Sequence, residues 1–386
     1  MSEALERTTV IIPTYNRSAY LLEMLDSLFA QTLPPAEIIV ADDGSTDDTP
    51  EQMAKLGDRI RYVRKANSGK SDTLNQCIKL AQHPLIWIMD DDDVALPTGL
   101  EAMTRTLSGK PEIGFVYGRY KRFSVDPTNG TRRVWDCGHW SNVEDDQFFR
   151  ANLKDFFAHH PGLLVRREAY ESLIPFSREY GRSEDYEMLI RLADRFDCRK
   201  TDEVIFYQRQ HNGRRFGNLD GDKRMQRWID EQTDMFKVVR ANLPLSSYLP
   251  RRDRHSPLAP LQLREALIVR GVVMARKKLW SEAFEDLLAA CSVEGAQGAL
   301  NLAERTASRH LLFSKYGSPE ILSDRAVRQG LLDLATKGPV GKELGRAIAR
   351  SLVWFIRKDL LAGRPGRSWQ YVTLGLSLLS RTRTAR

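Results

Sequence analysis

Four consecutive carboxylates, Asp90-Asp91-Asp92-Asp93, follow directly on the apolar run Leu85-Ile86-Trp87-Ile88-Met89. Like charges this close repel, and the repulsion grows where a buried strand lowers the local dielectric. A divalent cation relieves it, and Mg²⁺ and Mn²⁺ are hard ions that prefer oxygen ligands. One or two carboxylates, with the other coordination positions left open, is an arrangement that grips a substrate diphosphate. The plain alternative is a solvated acidic turn. Placement favours a site, because the run sits at a strand's carboxyl end and is followed by Leu96-Pro97 and a helical stretch.

Two more groups sit in the same kind of place. Asp42-Asp43-Gly44-Ser45 ends the run Glu37-Ile38-Ile39-Val40-Ala41. A carboxylate there can accept from a base's imino N–H, while Gly44 permits the tight turn; a turn that caps the next helix explains the same residues. Pro13-Thr14-Tyr15-Asn16-Arg17 ends the run Thr8-Thr9-Val10-Ile11-Ile12. Tyr15 offers an aromatic face and Thr14 a hydroxyl, and a strand-stopping proline with a helix cap is the competing account.

These groups need elements to hold them. The β-branched runs read as buried strands, the second from Glu37 to Ala41, with a short one over Arg59–Arg64 and a fourth over Leu85–Met89. Between them, Tyr20, Leu21, Met24, Leu25 and Leu28 have helical spacing, Asp47 and Asp48 suit a helix start, and Ser71 to Gln82 reads as a helix. Alternation of this kind predicts a mostly parallel sheet with helices on both faces, and ligands at the strands' carboxyl ends. Beyond Ile113 the signals mix. Strands are expected at Gly114–Tyr120 and Gly162–Arg166, helices at Arg167–Leu173 and Glu184–Phe196, and a turn at Asn129-Gly130.

After Gly217 the chain reads as helical. Gln262–Lys278 and Ser281–Cys291 look like a helix pair, with Ala266, Val269, Val273, Ala283 and Leu287 placed to pack between them. No second copy of this hairpin follows. The expected domains are 1–217, a helical linker over 218–260, and a basic helical domain over 261–386.

With 386 residues the chain is long for one core, and 42% hydrophobic residues suit an ordinary globular protein. No run approaches the roughly 20 apolar residues of a membrane span, and Met1 to Arg7 lacks a secretory layout. A cytoplasmic location is therefore expected. Cys77, Cys137, Cys198 and Cys291 form no C-x-x-C pair, so buried reduced thiols are expected. Charge is divided: residues 1–250 hold 34 Lys and Arg against 39 Asp and Glu, a net of −5, whereas residues 251–386 hold 24 against 12, a net of +12. The basic end suits either an anionic surface or a solvated helical face. Trp369–Leu379 reads as an apolar helix or strand with an Arg-rich tail, an interfacial anchor or a segment docked on its own domain. The basic tail lacks the aromatic interleaving of a nucleic-acid surface, and no nucleic-acid partner is expected.

Together these blocks resemble the family-two glycosyltransferases. Val10-Ile11-Ile12-Pro13-Thr14-Tyr15-Asn16-Arg17, Ile39-Val40-Ala41-Asp42-Asp43-Gly44-Ser45-Thr46-Asp47 and Met89-Asp90-Asp91-Asp92-Asp93-Val94-Ala95-Leu96-Pro97 look like the family's opening blocks in order and spacing. Asn67-Ser68-Gly69-Lys70 resembles its Gly-containing loop. Pro161 to Glu168 and Ser183 to Leu192 look like its acceptor-side blocks. The resemblance covers roughly residues 8–215 and implies the GT-A fold, an α/β nucleotide-diphospho-sugar transferase fold.

By this resemblance Pro13, Thr14, Tyr15 and Asp43 hold nucleobase and ribose, with Asp42 beside them. Asp90, Asp91 and Asp92 form the metal and diphosphate motif, with Asp92 as the leading metal ligand and Asp90 beside it. Lys70 approaches the donor phosphates, and His211 either completes the coordination of Mn²⁺ or Mg²⁺ or is an ordinary surface histidine. Asp185 is the general base, with Glu184 orienting it or binding acceptor hydroxyls; an acidic first helical turn explains the same carboxylates as structure. His159-His160 are candidates for lining the acceptor cleft, and Trp135 and Trp140 for stacking on sugars or packing in the core. The implied activity is inverting transfer of a sugar, from a UDP- or dTDP-sugar, to a glycan or lipid-linked acceptor in cell-surface polysaccharide biosynthesis. Peripheral membrane contact through the basic C-terminal region is a separate expectation, drawn from that region's charge. The competing readings are a catalytically silent sugar-nucleotide-binding domain with a basic recruitment tail, and a nucleotidyltransferase, which would need a Gly-rich basic loop near the N-terminus.

Overall fold

The computed structural model describes residues 6–137, 140–210 and 221–382. The chain divides into two compact units, Met1–Asn152 with Phe156–Asp220, and Leu153–Asp155 with Gly221–Arg386.

Among the described residues the first unit is built on nine strands, β1 (Thr8–Thr14), β2 (Glu37–Asp42), β3 (Arg61–Arg64), β4 (Leu85–Ile88), β5 (Val94–Ala95), β6 (Ile113–Val125), β7 (Arg132–Asp136), β8 (Leu163–Arg166) and β9 (Asp197–Arg209). Their order is β3-β2-β1-β4-β8-β6-β9-β5, with β7 paired to β6. The helices are α1 (Ser18–Phe29), α2 (Thr49–Ala54), α3 (Lys70–Leu80), α4 (Gly99–Leu107), α5 (Phe148–Lys154), α6 (Arg167–Glu171) and α7 (Glu184–Arg195).

Strands β1 to β4 pair in parallel, as the alternation of strand and helix predicts. The rest of the sheet is mixed: β8 runs antiparallel to β4 and β6, while β6 and β9 are parallel. Val10 and Ile12 of β1 join Leu21, Met24, Leu25 and Leu28 of α1 and Leu100, Met103 and Leu107 of α4 in one buried cluster. Helix α3 covers β1 and β2 with its own buried face of Leu74, Cys77 and Ile78.

Pro13 does not stop β1. The strand continues to Thr14, with Pro13 opposite Ala41 and Thr14 opposite Asp42. Its pairing with β4 ends earlier, at Ile11, so the missing N–H of Pro13 falls where β4 no longer runs alongside. Three strands gave no readable pattern. All five residues of β7 are exposed, β5 is two residues long, and the first half of β9 is mostly charged.

The second unit contains α8 (Gly221–Asn242), α9 (Pro260–Arg276), α10 (Trp280–Cys291), α11 (Leu302–Arg309), α12 (Glu320–Ser323), α13 (Arg325–Leu334), α14 (Gly338–Leu361) and α15 (Pro365–Thr382). Ala266, Val269, Val273, Ala283 and Leu287 are all buried, as the α9–α10 hairpin requires. The Arg264 guanidinium lies buried across both Glu304 oxygens, at 2.7 Å each. Trp369–Leu379 is helical, within α15. The four cysteines are free and buried. No described helix is long and apolar enough to cross a membrane.

Candidate active site

Parallel register brings the first two polar groups together. With Thr14 opposite Asp42, β1 and β2 end side by side, and β4 delivers Asp90 to Asp93 to the same edge. The Thr14 hydroxyl donates to Asp91 Oδ2 at 2.8 Å. Asp91, Asp92 and Asp93 are buried.

The neighbours of these carboxylates are cations. Arg17 Nη1 donates to Asp91 Oδ1 at 2.9 Å and Asp92 Oδ2 at 3.0 Å. Lys70 Nζ donates to Asp90 Oδ1 at 2.6 Å. The Arg209 backbone N–H donates to Asp93 Oδ1 at 2.9 Å, and its Nε to the Asp92 carbonyl at 2.8 Å. Compensation is incomplete. Burial and the charge of Asp92 raise the Asp91 carboxyl to about 6 against the pull of Arg17. Burial also raises Asp90, but the Lys70 ammonium outweighs it and the net direction is down.

Asp42 and Asp43 shape the adjoining loop. Asp42 accepts from the Ser45 N–H at 2.8 Å and from the Tyr62 hydroxyl. Asp43 accepts from Lys65 and from the N–H groups of Ser68 (2.9 Å) and Gly69 (2.8 Å). Burial raises the Asp43 carboxyl, and these bonds outweigh it and hold it below its ordinary range. Gly44 has φ +85°, and a Cβ there would meet Asn67 N and Lys65 O at 3.0 Å. Beside this loop Tyr15 is 46% exposed, its ring open to a ligand, while Pro13 is buried within β1.

Across from Asp90, α7 opens with Glu184 and Asp185. Lys70 Nζ lies 3.7 Å from Glu184 Oε1, so one ammonium joins the carboxylates after β4 to those at the start of α7. Glu184 is buried, and its Oε2 has no hydrogen-bond partner. Burial, opposed by Lys70 and reinforced by Asp185, pushes Glu184 up to about 8. Burial, opposed by Lys70 and reinforced by Asp90, pushes Asp185 up to about 6, and its Oδ1 accepts from the Tyr186 N–H at 2.7 Å. His160 is buried beside this group; burial and the Lys70 charge lower it to about 3, so it is neutral. His159 instead packs edge-on against Tyr120 and Phe156. Trp140 packs on Phe157, and Trp135 is exposed on β7.

Among the described residues, no three His, Cys, Asp or Glu side chains gather closely enough to enclose a metal ion. His211 lies outside the described residues. Asp90 and Asp92 do sit close enough for the charge of one to act on the other, at an edge where Asp91 is still left short of positive charge. That donor set fits a hard cation held by two carboxylates and sharing its remaining positions with a diphosphate.

The site therefore gathers Thr14, Lys70, Asp90, Asp91, Asp92, Glu184 and Asp185, with Asp42 and Asp43 on the neighbouring loop. Sequence reasoning gave no role to Arg17, Lys65 or Arg209. Arg17 left a signal, since a cation at a helix N-cap opposes the helix dipole and needs another reason to be there. Arg209 belongs to the unread strand β9, where it also pairs with Glu23 and lies over the Tyr20 and Phe123 rings.

Several known proteins are similar to this chain. An uncharacterized glycosyltransferase of Rickettsia felis is 36% identical over 209 residues, which cover 53% of this chain and 34% of that protein. A chondroitin synthase of Pasteurella multocida is 24% identical over 220 residues, 56% of this chain and 22% of that one. The chain thus spans about a third or less of the length of these relatives. Among solved structures, Staphylococcus aureus TarS 1-349 in complex with UDP-GlcNAc matches at a TM-score of 0.49 and 15% identity, covering 88% of this chain and 90% of that one. The Pyrobaculum calidifontis mannosyltransferase PcManGT, in complex with GDP-Man and Mn2+, matches at 0.47 and 19%, covering 91% and 88%. The family model for glycosyl transferase family 2 matches residues 9–174. Residues 9–174 are thus similar to the glycosyl transferase family 2 domain.

Proposed function

We propose that the chain transfers a sugar from a nucleotide-diphosphate donor to an acceptor hydroxyl with inversion at the anomeric carbon. The observation that carries this reading is the Lys70 bridge, which sets Asp90, at the sheet's ligand edge, against Glu184 and Asp185 at the start of α7. A single-displacement transfer needs these two carboxylate groups, one on the donor's diphosphate side and one on the acceptor side.

The roles follow from charge and exposure. Tyr15 offers its ring to the base, and Thr14, Asp42 and Asp43 frame the nucleoside loop; a UDP- or dTDP-sugar is the proposed donor. Asp90 and Asp92, with His211, would hold Mn²⁺ or Mg²⁺. When bound, the ion supplies positive charge to the departing diphosphate. Asp185 accepts the acceptor's proton: with its carboxyl near 6 it is ionised at neutral pH yet basic enough to act. Glu184, near 8, is protonated at neutral pH and can donate from its otherwise unpartnered carboxyl to an acceptor hydroxyl. Lys70 keeps the two acidic groups from repelling each other until the donor binds. A catalytically silent binding domain would have no use for two carboxyls driven apart in this way.

The proposed setting is cell-surface glycan synthesis on the cytoplasmic side, with a glycan or lipid-linked acceptor. The test is to screen nucleotide sugars with Mn²⁺ for thermal stabilisation, then to follow transfer by the stabilising donor. A binding ligand at a hundred times its Kd stabilises by about 2.7 kcal/mol. If no nucleotide sugar stabilises the protein with or without metal, the proposal fails.

A further inference from the structure

We infer that the open face of the α14–α15 hairpin docks on an anionic lipid surface, lying in its interface without crossing it. The inference locates the membrane side of the proposed lipid-linked setting, but it rests on this hairpin alone and not on the transfer reaction.

Helix α15 returns along α14. The Ser368 hydroxyl donates to the Ile356 carbonyl at 2.9 Å, and Arg346 Nη2 to the Thr382 carbonyl at 3.1 Å. The Tyr371 ring packs at a tilt against Phe355, with centroids 5.3 Å apart, and Gly375 faces Leu352. With those positions turned inward, helical spacing sets Val353, Arg357 and Leu360 along one flank of α14. It sets Val372, Leu376 and Leu379 along the adjoining flank of α15. Trp354, Leu361 and Trp369 border this face. They are exposed by 49%, 90% and 65%, far more than such side chains normally are.

What covers the face follows from its charge. Residues 338–386 contain ten Lys and Arg and two acids, a net of +8. Of the acids, buried Asp359 is already held by Arg364 and Arg367, and Glu343 pairs with Arg346. Arg350 and Arg357 have no acidic partner among the described residues, and Lys358 lies over the Trp354 ring at 4.8 Å. Exposed tryptophan and leucine interleaved with unpaired cations matches the headgroup layer of an anionic bilayer, where indole rings sit at the boundary and cations meet phosphate. A second copy is a poor partner, since it would bring these cations against their own kind. Neither helix is long and apolar enough to span.

The test is co-sedimentation of the full chain with phosphatidylcholine vesicles, with and without phosphatidylglycerol, at low and high salt. Binding is expected only to the anionic vesicles and should weaken with salt. Each cation near such a surface contributes about fivefold in affinity, so Arg350→Gln with Arg357→Gln and Lys358→Gln should weaken binding roughly a hundredfold. Trp354→Ala with Trp369→Ala should weaken it about tenfold or more. These side chains are exposed, and an unchanged melting temperature for each variant checks that the fold is kept. No sedimentation with anionic vesicles, or variants that bind like the wild type, overturns the proposal. So does light scattering that shows a dimer dissociated by the tryptophan variant. Nucleotide-sugar stabilisation is read separately, so failure of the transferase reading leaves this result intact, and the reverse.

Discussion

Replacing Asp185 by Asn tests the assignment of roles most directly. The change keeps the shape and the Tyr186 N–H bond, which passes to the amide oxygen, and removes only the ability to take a proton. General-base catalysis contributes about 10²–10⁴-fold, or roughly 3–5 kcal/mol of barrier, and transfer should fall by that amount. Donor binding should hold, because the proposed donor residues Thr14, Tyr15, Asp42 and Asp43 belong to β1, β2 and their loops, not to α7. The structure adds a pH signature. Burial and Asp90 hold the Asp185 carboxyl near 6, so wild-type kcat/KM should be level around neutrality. Below about pH 6 it should fall about tenfold per unit as the base is protonated. In the Asn variant this acid limb should vanish along with the rate. The assay is initial-rate transfer from pH 5 to 9, with donor affinity measured in parallel. An Asn variant that transfers at the wild-type rate, or keeps the acid limb, refutes the assignment.

Other outcomes follow from the same geometry. Asp92→Ala should abolish the part of donor stabilisation that depends on Mn²⁺, and chelation of wild type should do the same; unchanged melting shifts would remove Asp92 from the metal site. Arg17→Gln should leave Asp91 and Asp92 buried without their cation, raise Asp91 above about 6 and lower stability by about 1–3 kcal/mol, in part restored by Mn²⁺. Urea unfolding with and without metal measures this. Glu184 is raised from 4.5 to about 8 in the folded state, so its contribution is full below about pH 4.5 and is lost as pH rises through about 8. Glu184→Gln should therefore gain stability over wild type above pH 8 and show little advantage at pH 5; melting temperatures across that range that move in parallel would contradict the shift.

The sequence alone determined the ligand edge. Runs such as Val10-Ile11-Ile12 and Leu85-Ile86-Trp87-Ile88 can only be strands buried on both faces, and polar residues at their carboxyl ends must then share one edge. Local chemistry also fixed the Gly44 turn and the acidic start of α7. Tertiary structure decided the rest. Whether Asp90 stands near Asp185, 95 positions along the chain, depends on Lys70 reaching both sides, and no local pattern encodes that distance. The counter-charges Arg17 and Arg209 acquire meaning only when α1 and β9 pack against the Asp90–Asp93 loop. Strands β7 and β9 escaped reading because exposed or charged strands carry no apolar alternation; pairing with β6 is what holds them, through a local hairpin for β7 and across more than 80 residues for β9. The carboxyl shifts at Asp91, Glu184 and Asp185 likewise come from burial and from neighbours gathered by the fold, which a list of residues cannot supply.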